Sequence, residues 1–193
     1  MNLLLAMSLI LLVDVSGSVD AAEYAIQKQG IVEALKHPSV HRAIYNQRGI
    51  CIAYIEFDDN NRVVVDWEIV ETPEDANRFA ALVEDAGRSG SGSTNVYGAI
   101  VGAVSHFATS PCAGDRALDV SGDGAHNTGG ERPDHRTLGD VRINGLPIAN
   151  DERDLPEWYQ QNVVKDGFLL PVTSFDDFPH AIRQKLALEI SSR

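Results

Sequence analysis

Asp14, Ser16 and Ser18 follow one another at two-residue spacing, directly after the apolar run Leu9-Ile10-Leu11-Leu12-Val13. One carboxylate and two hydroxyls are hard oxygen donors, and their natural guest is a small hard cation such as Mg2+. An apolar run without polar interruption reads as a strand buried on both faces. The three side chains would then stand where that strand gives way to a helix, the edge at which open α/β sheets bind ligands.

Two further segments supply the same chemistry. Asp119-Val120-Ser121-Gly122-Asp123 echoes Asp14-Val15-Ser16-Gly17-Ser18 and also follows apolar strand residues. If the two strands are neighbours, Ser16, Ser18 and Asp123 converge. The Gly/Ser loop from Gly87 to Ser93 ends at Thr94, which adds a hydroxyl at a helix start. Asp14, Ser16, Ser18, Thr94 and Asp123 together can surround one ion, with water completing the shell. Asp119 is a rival acid, but along a strand it lies roughly 13 Å deeper than Asp123. It reads as a buried, hydrogen-bonded carboxylate supporting the loops. Asp20 and Asn95 read as capping groups or groups just behind the ligands.

These side chains need a sheet to position them. A helix capped by Ser18-Val19-Asp20 runs to about Lys36, where Pro38 ends it. Gly49 to Phe57 and Arg62 to Val70 read as strands joined by the turn Asp58-Asp59-Asn60-Asn61, a hairpin that makes one strand antiparallel. That turn carries repelling charges rather than an acid–base pair. Thr72-Pro73-Glu74 opens a second helix, to about Ala86, and a third runs from about Asn95 to Phe107. Strands follow at Arg116–Val120, Val141–Ile143 and Gly167–Val172, with a helix from Asp154 to about Val164 and a closing helix from Phe175 to Ile190. Ala125 to Gly139 reads as loop-rich, with room for a short helix. Strands alternating with helices predict one α/β domain over residues 1–193, a doubly wound, mostly parallel six-stranded sheet with one antiparallel edge strand and helices on both faces.

Composition narrows the function. The chain has 193 residues, 44% of them hydrophobic, and a formal charge of −12. So acidic a balance argues against a nucleic-acid binder, which needs basic side chains to neutralise phosphates. The run from Leu3 to Val13 is too short to span a bilayer. No Lys or Arg precedes it and no small-x-small site stands before Asp14, so a buried first strand is expected rather than a leader. Cys51 and Cys112 can pair only if the start of one strand meets the loop Ser110-Pro111-Cys112; otherwise one is a buried thiol and the other a loop thiol. His126 and His135 read as exposed loop residues. Trp67 and Trp158 read as packing residues.

The pattern resembles a known family. Asp-x-Ser-x-Ser, a distant Thr at a helix start and an Asp-Gly after a later strand form the metal-ion-dependent adhesion site of von Willebrand factor type A domains. Here those elements are Asp14, Ser16, Ser18, Thr94 and Asp123-Gly124. Val13 to Asp20, Asp119 to Gly124 with Asn127, Ile143 to Ile148 and the stretch from Phe175 to Leu186 look like an uncharacterised bacterial family of such domains. The resemblance implies a Rossmann-like fold and a binding module rather than an enzyme. It implies Mg2+, with Mn2+ or Ca2+ as alternatives, held directly by Ser16 and Ser18 and with Asp123 acting through water. It implies a protein partner whose Asp or Glu completes the shell, and a periplasmic or secreted location.

Other readings fit less well. A Mg2+-dependent phosphoryl-transfer or hydrolytic enzyme would want a second carboxylate at position 16 and a Lys between Thr94 and Gly124, and neither is there. Gly90-Ser91-Gly92-Ser93-Thr94-Asn95 is not a dinucleotide fingerprint, and no Gly-x-Ser-x-Gly elbow occurs. A scaffold domain with a structural ion is the remaining alternative.

Overall fold

The computed structural model describes residues 7–192. The beginning of the apolar run, Leu3 to Ala6, lies outside the described residues. The strands are β1 (Met7–Asp14), β2 (Ile50–Phe57), β3 (Asn61–Val70), β4 (Asp115–Gly122) and β5 (Val141–Pro147). The helices are α1 (Ala21–Leu35), α2 (Pro38–Asn46), α3 (Pro73–Asp85), α4 (Val96–His106), α5 (Leu155–Asn162) and α6 (Phe178–Ser191).

The sheet order is β3-β2-β1-β4-β5. Among the strand pairs of this sheet in the described residues, only the β2–β3 hairpin is antiparallel, and β1 is parallel to both β2 and β4. Every residue of β1 and of β2 is buried. Side chains alternate across the pleat. Leu9, Leu11 and Val13 pack with residues of α1, α2, α3 and α6. Ile10 and Leu12 pack with residues of α4 and α5. Among the described residues no helix is long and apolar enough to cross a membrane.

Three expectations need correction and one open alternative is decided. Among the described residues the sheet has five strands, not six. Gly167–Val172 runs beside β5 but makes only isolated bridges, Gly145 with Leu169 and Ile148 with Val172. The Phe168 N–H, which a ladder would use, donates instead to Asn144 Oδ1 at 3.0 Å, and Pro147, which lies between the donors Gly145 and Ala149, has no N–H to give. Second, Pro38 does not merely end a helix: it is the first residue of α2, whose N-cap is His37. Proline suits that position because its missing N–H would be unpaired there in any case.

The open alternative is the cysteine pair: Cys51 and Cys112 form a disulfide, with Cα atoms 5.9 Å apart. The strand order makes this possible. β1 lies between β2 and β4, and Ser8 of β1 pairs with both Cys51 and Arg116. The loop before β4 therefore passes the starts of β1 and β2, and Ser110 Oγ lies 2.7 Å from Ser8 Oγ. Third, Asp119 supports a helix rather than loops. Its Oδ1 is 2.6 Å from Lys185 Nζ, which also binds Glu189 Oε1 at 2.7 Å, and all three groups are buried.

Candidate metal centre

Parallel β1 and β4, aligned with Val13 opposite Ser121, end side by side and bring the five oxygen-bearing residues together. Asp14 Oδ1 accepts the Ser16 N–H at 2.8 Å, a turn that points the two serine hydroxyls the same way. Ser16 Oγ lies 3.2 Å from Ser18 Oγ and accepts from Thr94 Oγ1 at 3.0 Å. Ser18 Oγ donates to Asp123 Oδ1 at 2.8 Å. Asp14, Ser16 and Thr94 are buried, whereas Ser18 is exposed and Asp123 half-buried, so the group opens to solvent on the Ser18–Asp123 side.

Each contributor is fixed by its neighbours. Val15 N donates to Phe57 O and Gly17 N to Gly92 O, which pins the loop after β1. Asp20 caps α1 and shares a capping box with Glu23. Thr94 is held by Asn127, whose Oδ1 accepts Thr94 N–H at 2.9 Å while Asn127 N donates to Thr94 O at 3.0 Å. Asn95 is the N-cap of α4.

The electrostatics are those of a site short of positive charge. Burial pushes the Asp14 carboxyl up to about 7, with Asp123 adding to the rise and the Ser16 hydrogen bonds and Arg88 opposing it. Asp14 Oδ2 is buried and has no hydrogen-bond partner. The Asp123 carboxyl is also raised, by burial first, with Glu23 and Glu152 adding to it against the Ser18 hydrogen bond. A buried carboxylate oxygen without a partner is costly, and a divalent cation is the kind of group that would satisfy it. Among the described residues no cluster of three or more His, Cys, Asp or Glu forms. The set is two carboxylates and three hydroxyls, which fits a hard, oxygen-seeking ion and does not fit a soft one.

Several residues that carry this site escaped sequence reasoning. The hairpin turn does more than repel: Asp58 Oδ2 accepts the N–H groups of Ser91 and Gly92, each at 3.0 Å, so it anchors the Gly/Ser loop. Burial pushes its carboxyl up, but Arg62 and the amides of Asn60 and Gly92 outweigh it and hold it at about 2. Tyr159 of α5 is fully buried and its hydroxyl has no partner. That hydroxyl and Asp14 Oδ2 both crowd Gly122, where a Cβ would lie 2.9 and 2.7 Å from them. His126, expected to be exposed, is half-buried and stacked on Tyr97 with ring centroids 4.0 Å apart. Its ring thus belongs to the α4 face.

Comparison with known proteins is consistent with this geometry. The proximal thread matrix protein 1 of the mussel byssus, in a structure described as having a zinc-occupied MIDAS motif, superposes with a TM-score of 0.68 at 16% identity, over 97% of this chain and 48% of that one. A von Willebrand factor type A protein from Catenulispora acidiphila gives 0.67 at 14% identity, over 96% and 43%. BatB from Bacteroides thetaiotaomicron gives 0.65 at 17% identity, over 97% and 100%. The chain thus spans about half the length of the first two, and the shared feature is the von Willebrand factor type A fold. No curated protein matches it. A family model matches residues 5–193, so the chain belongs to the family described as Protein of unknown function (DUF1194).

Proposed function

We propose that the protein is a binding module that recognises a protein partner through a divalent cation held by Asp14, Ser16, Ser18, Thr94 and Asp123. The observation that carries this reading is the convergence of five oxygen side chains from three separate loops on one rim, with the buried Asp14 Oδ2 left without a partner. Mg2+ suits the donor set best, and Mn2+ or Ca2+ are close alternatives. When bound, the ion supplies a Lewis-acidic position that an Asp or Glu of the partner can fill. Asp14 and Asp123 would supply compensating negative charge, and the hydroxyls of Ser16, Ser18 and Thr94 would serve as neutral donors. With only two carboxylates nearby, the site retains positive charge for a third from outside.

An enzyme that uses Asp14 as a nucleophile is disfavoured, because the Asp14 side chain has no solvent exposure. The Cys51–Cys112 disulfide supports an oxidising compartment, periplasmic or extracellular.

The test is calorimetric titration of Mg2+ and Mn2+ into chelator-stripped wild type and Asp14→Ala, followed by partner capture with and without chelator. Binding by wild type alone, and capture lost on chelation, is the expected result. Capture indifferent to chelator would leave the ion a structural role, and metal-dependent turnover of a generic phosphate ester would favour the enzyme.

A further inference from the structure

The stretch that carries Ser16 and Ser18 turns sharply between β1 and α1, and three of its carbonyls point at one side chain. Arg88 Nη2 donates to Val15 O at 2.9 Å, Ser16 O at 2.8 Å and Val19 O at 2.8 Å. Arg88 Nε donates to Gly90 O at 2.8 Å. Arg88 belongs to the loop that leads to Thr94, so one guanidinium ties the segment bearing two of the candidate ligands to the segment bearing a third. A planar fork of donors holds several acceptors in a fixed arrangement, which a flexible ammonium does less well.

The guanidinium is itself seated. Its carbon lies 5.5 Å from the Tyr24 ring centroid. Tyr24 Oη donates to Glu56 Oε1 at 2.8 Å, and Tyr54 Oη donates to the same oxygen at 3.0 Å. Glu56 Oε2 accepts the N–H of Ser89, the residue next to Arg88, at 2.8 Å. Glu56 lies in β2 and has no solvent exposure. Buried polar and charged groups of this kind are weak evidence for stability in themselves. What the polar arrangement adds is direction: each bond fixes the position of a backbone group near the site.

We infer that Arg88 is a positioning residue for the cation site, locking the backbone of residues 15–19 in the shape that aims Ser16 and Ser18 at the ion, and that Glu56 and Tyr24 hold it in place. This rests on the metal reading above. Arg88 makes no hydrogen bond to the five donor side chains; its bonds to this segment go to the carbonyls of 15, 16 and 19.

The test compares wild type, Arg88→Met, Arg88→Lys, Glu56→Gln and Val32→Ala, a core control on α1 far from the loop. Mn2+ affinity is measured by calorimetry well below each melting temperature. Amide hydrogen exchange of residues 15–19 is measured in chelator. Arg88→Met is expected to weaken Mn2+ at least tenfold and to speed exchange in that segment. Arg88→Lys should fall between Arg88→Met and wild type. Val32→Ala should lose thermal stability while keeping wild-type affinity and wild-type exchange at 15–19. Should Arg88→Met fail to fold, Glu56→Gln carries the test, with an expected three- to tenfold loss. Arg88→Met or a folded Glu56→Gln within twofold of wild type in affinity, with unchanged exchange, overturns the inference. So does an equal loss of affinity in Val32→Ala. If wild type binds no Mn2+, the metal reading falls and this one with it; normal wild-type binding beside unaffected variants overturns the Arg88 role alone.

Discussion

Gly122 is a backbone position to which the candidate centre is directly sensitive. It ends β4 beside the end of β1, and a Cβ there would lie 2.7 Å from Asp14 Oδ2, 2.8 Å from Asp14 Cβ and 2.9 Å from Tyr159 Oη. All three distances are inside van der Waals contact, and neither Asp14 nor Tyr159 has exposed surface into which to retreat. Asp14 Cβ is close to the main chain and cannot swing away, so Gly122→Ala must displace Asp14 itself. Overpacking of this kind typically costs about 1–3 kcal/mol. For a chain of this size that is a fall in Tm of roughly 2–12 °C. Because the moved group is a candidate ligand, Mn2+ affinity should drop about tenfold, equivalent to about 1.4 kcal/mol. Gly124→Ala is the natural contrast, since the sequence resemblance places its glycine there. Its Cβ would meet nothing closer than Thr94 Oγ1 at 3.5 Å, an ordinary contact, so Tm and affinity should stay near wild type. Scanning calorimetry and Mn2+ titration on both variants decide the matter. Gly122→Ala indistinguishable from wild type, or Gly124→Ala the more damaging, would refute the packing argument.

Other perturbations have definite expected outcomes. Thr94→Ala removes the hydroxyl that donates to Ser16 Oγ while Asn127 still holds the backbone; ion affinity should fall at least fivefold with Tm shifted by only a few degrees, and equal losses of both would make Thr94 merely structural. Cys51→Ser/Cys112→Ser opens a loop of sequence separation 61 and should cost roughly 4 kcal/mol in urea unfolding. Lys185→Met leaves Asp119 and Glu189 buried without their cation, a loss of about 3–5 kcal/mol by the same assay. Burial, with Asp119 adding to it and Lys185 opposing, raises the Glu189 carboxyl from 4.5 to about 8. The unfolded chain therefore sheds this proton first, so the Glu189 contribution to stability falls as pH rises from about 4.5 to 8 and then levels. Glu189→Gln should flatten the decline between pH 5.5 and 8, and an unchanged slope would place it elsewhere.

Much of this molecule can be read before it is seen, and the boundary is physical. β1 is legible because an unbroken apolar run marks a strand buried on both faces, the end of β4 because its Asp-x-Ser-Gly-Asp segment echoes the end of β1 after apolar residues, and the oxygen donors at both ends are local in sequence. Thr94 is legible because it closes a Gly/Ser loop before an apolar helix. What is hidden is what distance in sequence separates. The pairing of Cys51 with Cys112 depends on which strands flank β1. Arg88 is a lone cation in a loop until the carbonyls of residues 15, 16 and 19 are folded onto it. Lys185 and Glu189 look like a surface pair on an amphipathic helix until Asp119 is seen beneath them. α2 is obscured because Pro38 serves equally to stop one helix and to start the next. The sixth strand fails on a side chain: Asn144 takes the Phe168 N–H that a ladder would need.

The most direct measurement is the anomalous difference map of a crystal soaked in Mn2+. A single peak within roughly 2.1 Å of both Ser16 Oγ and Ser18 Oγ, on the rim shared with Asp14, Thr94 and Asp123, is the predicted result. At a concentration that saturates any binding in solution, an empty rim, or a peak held by other residues, would contradict the account.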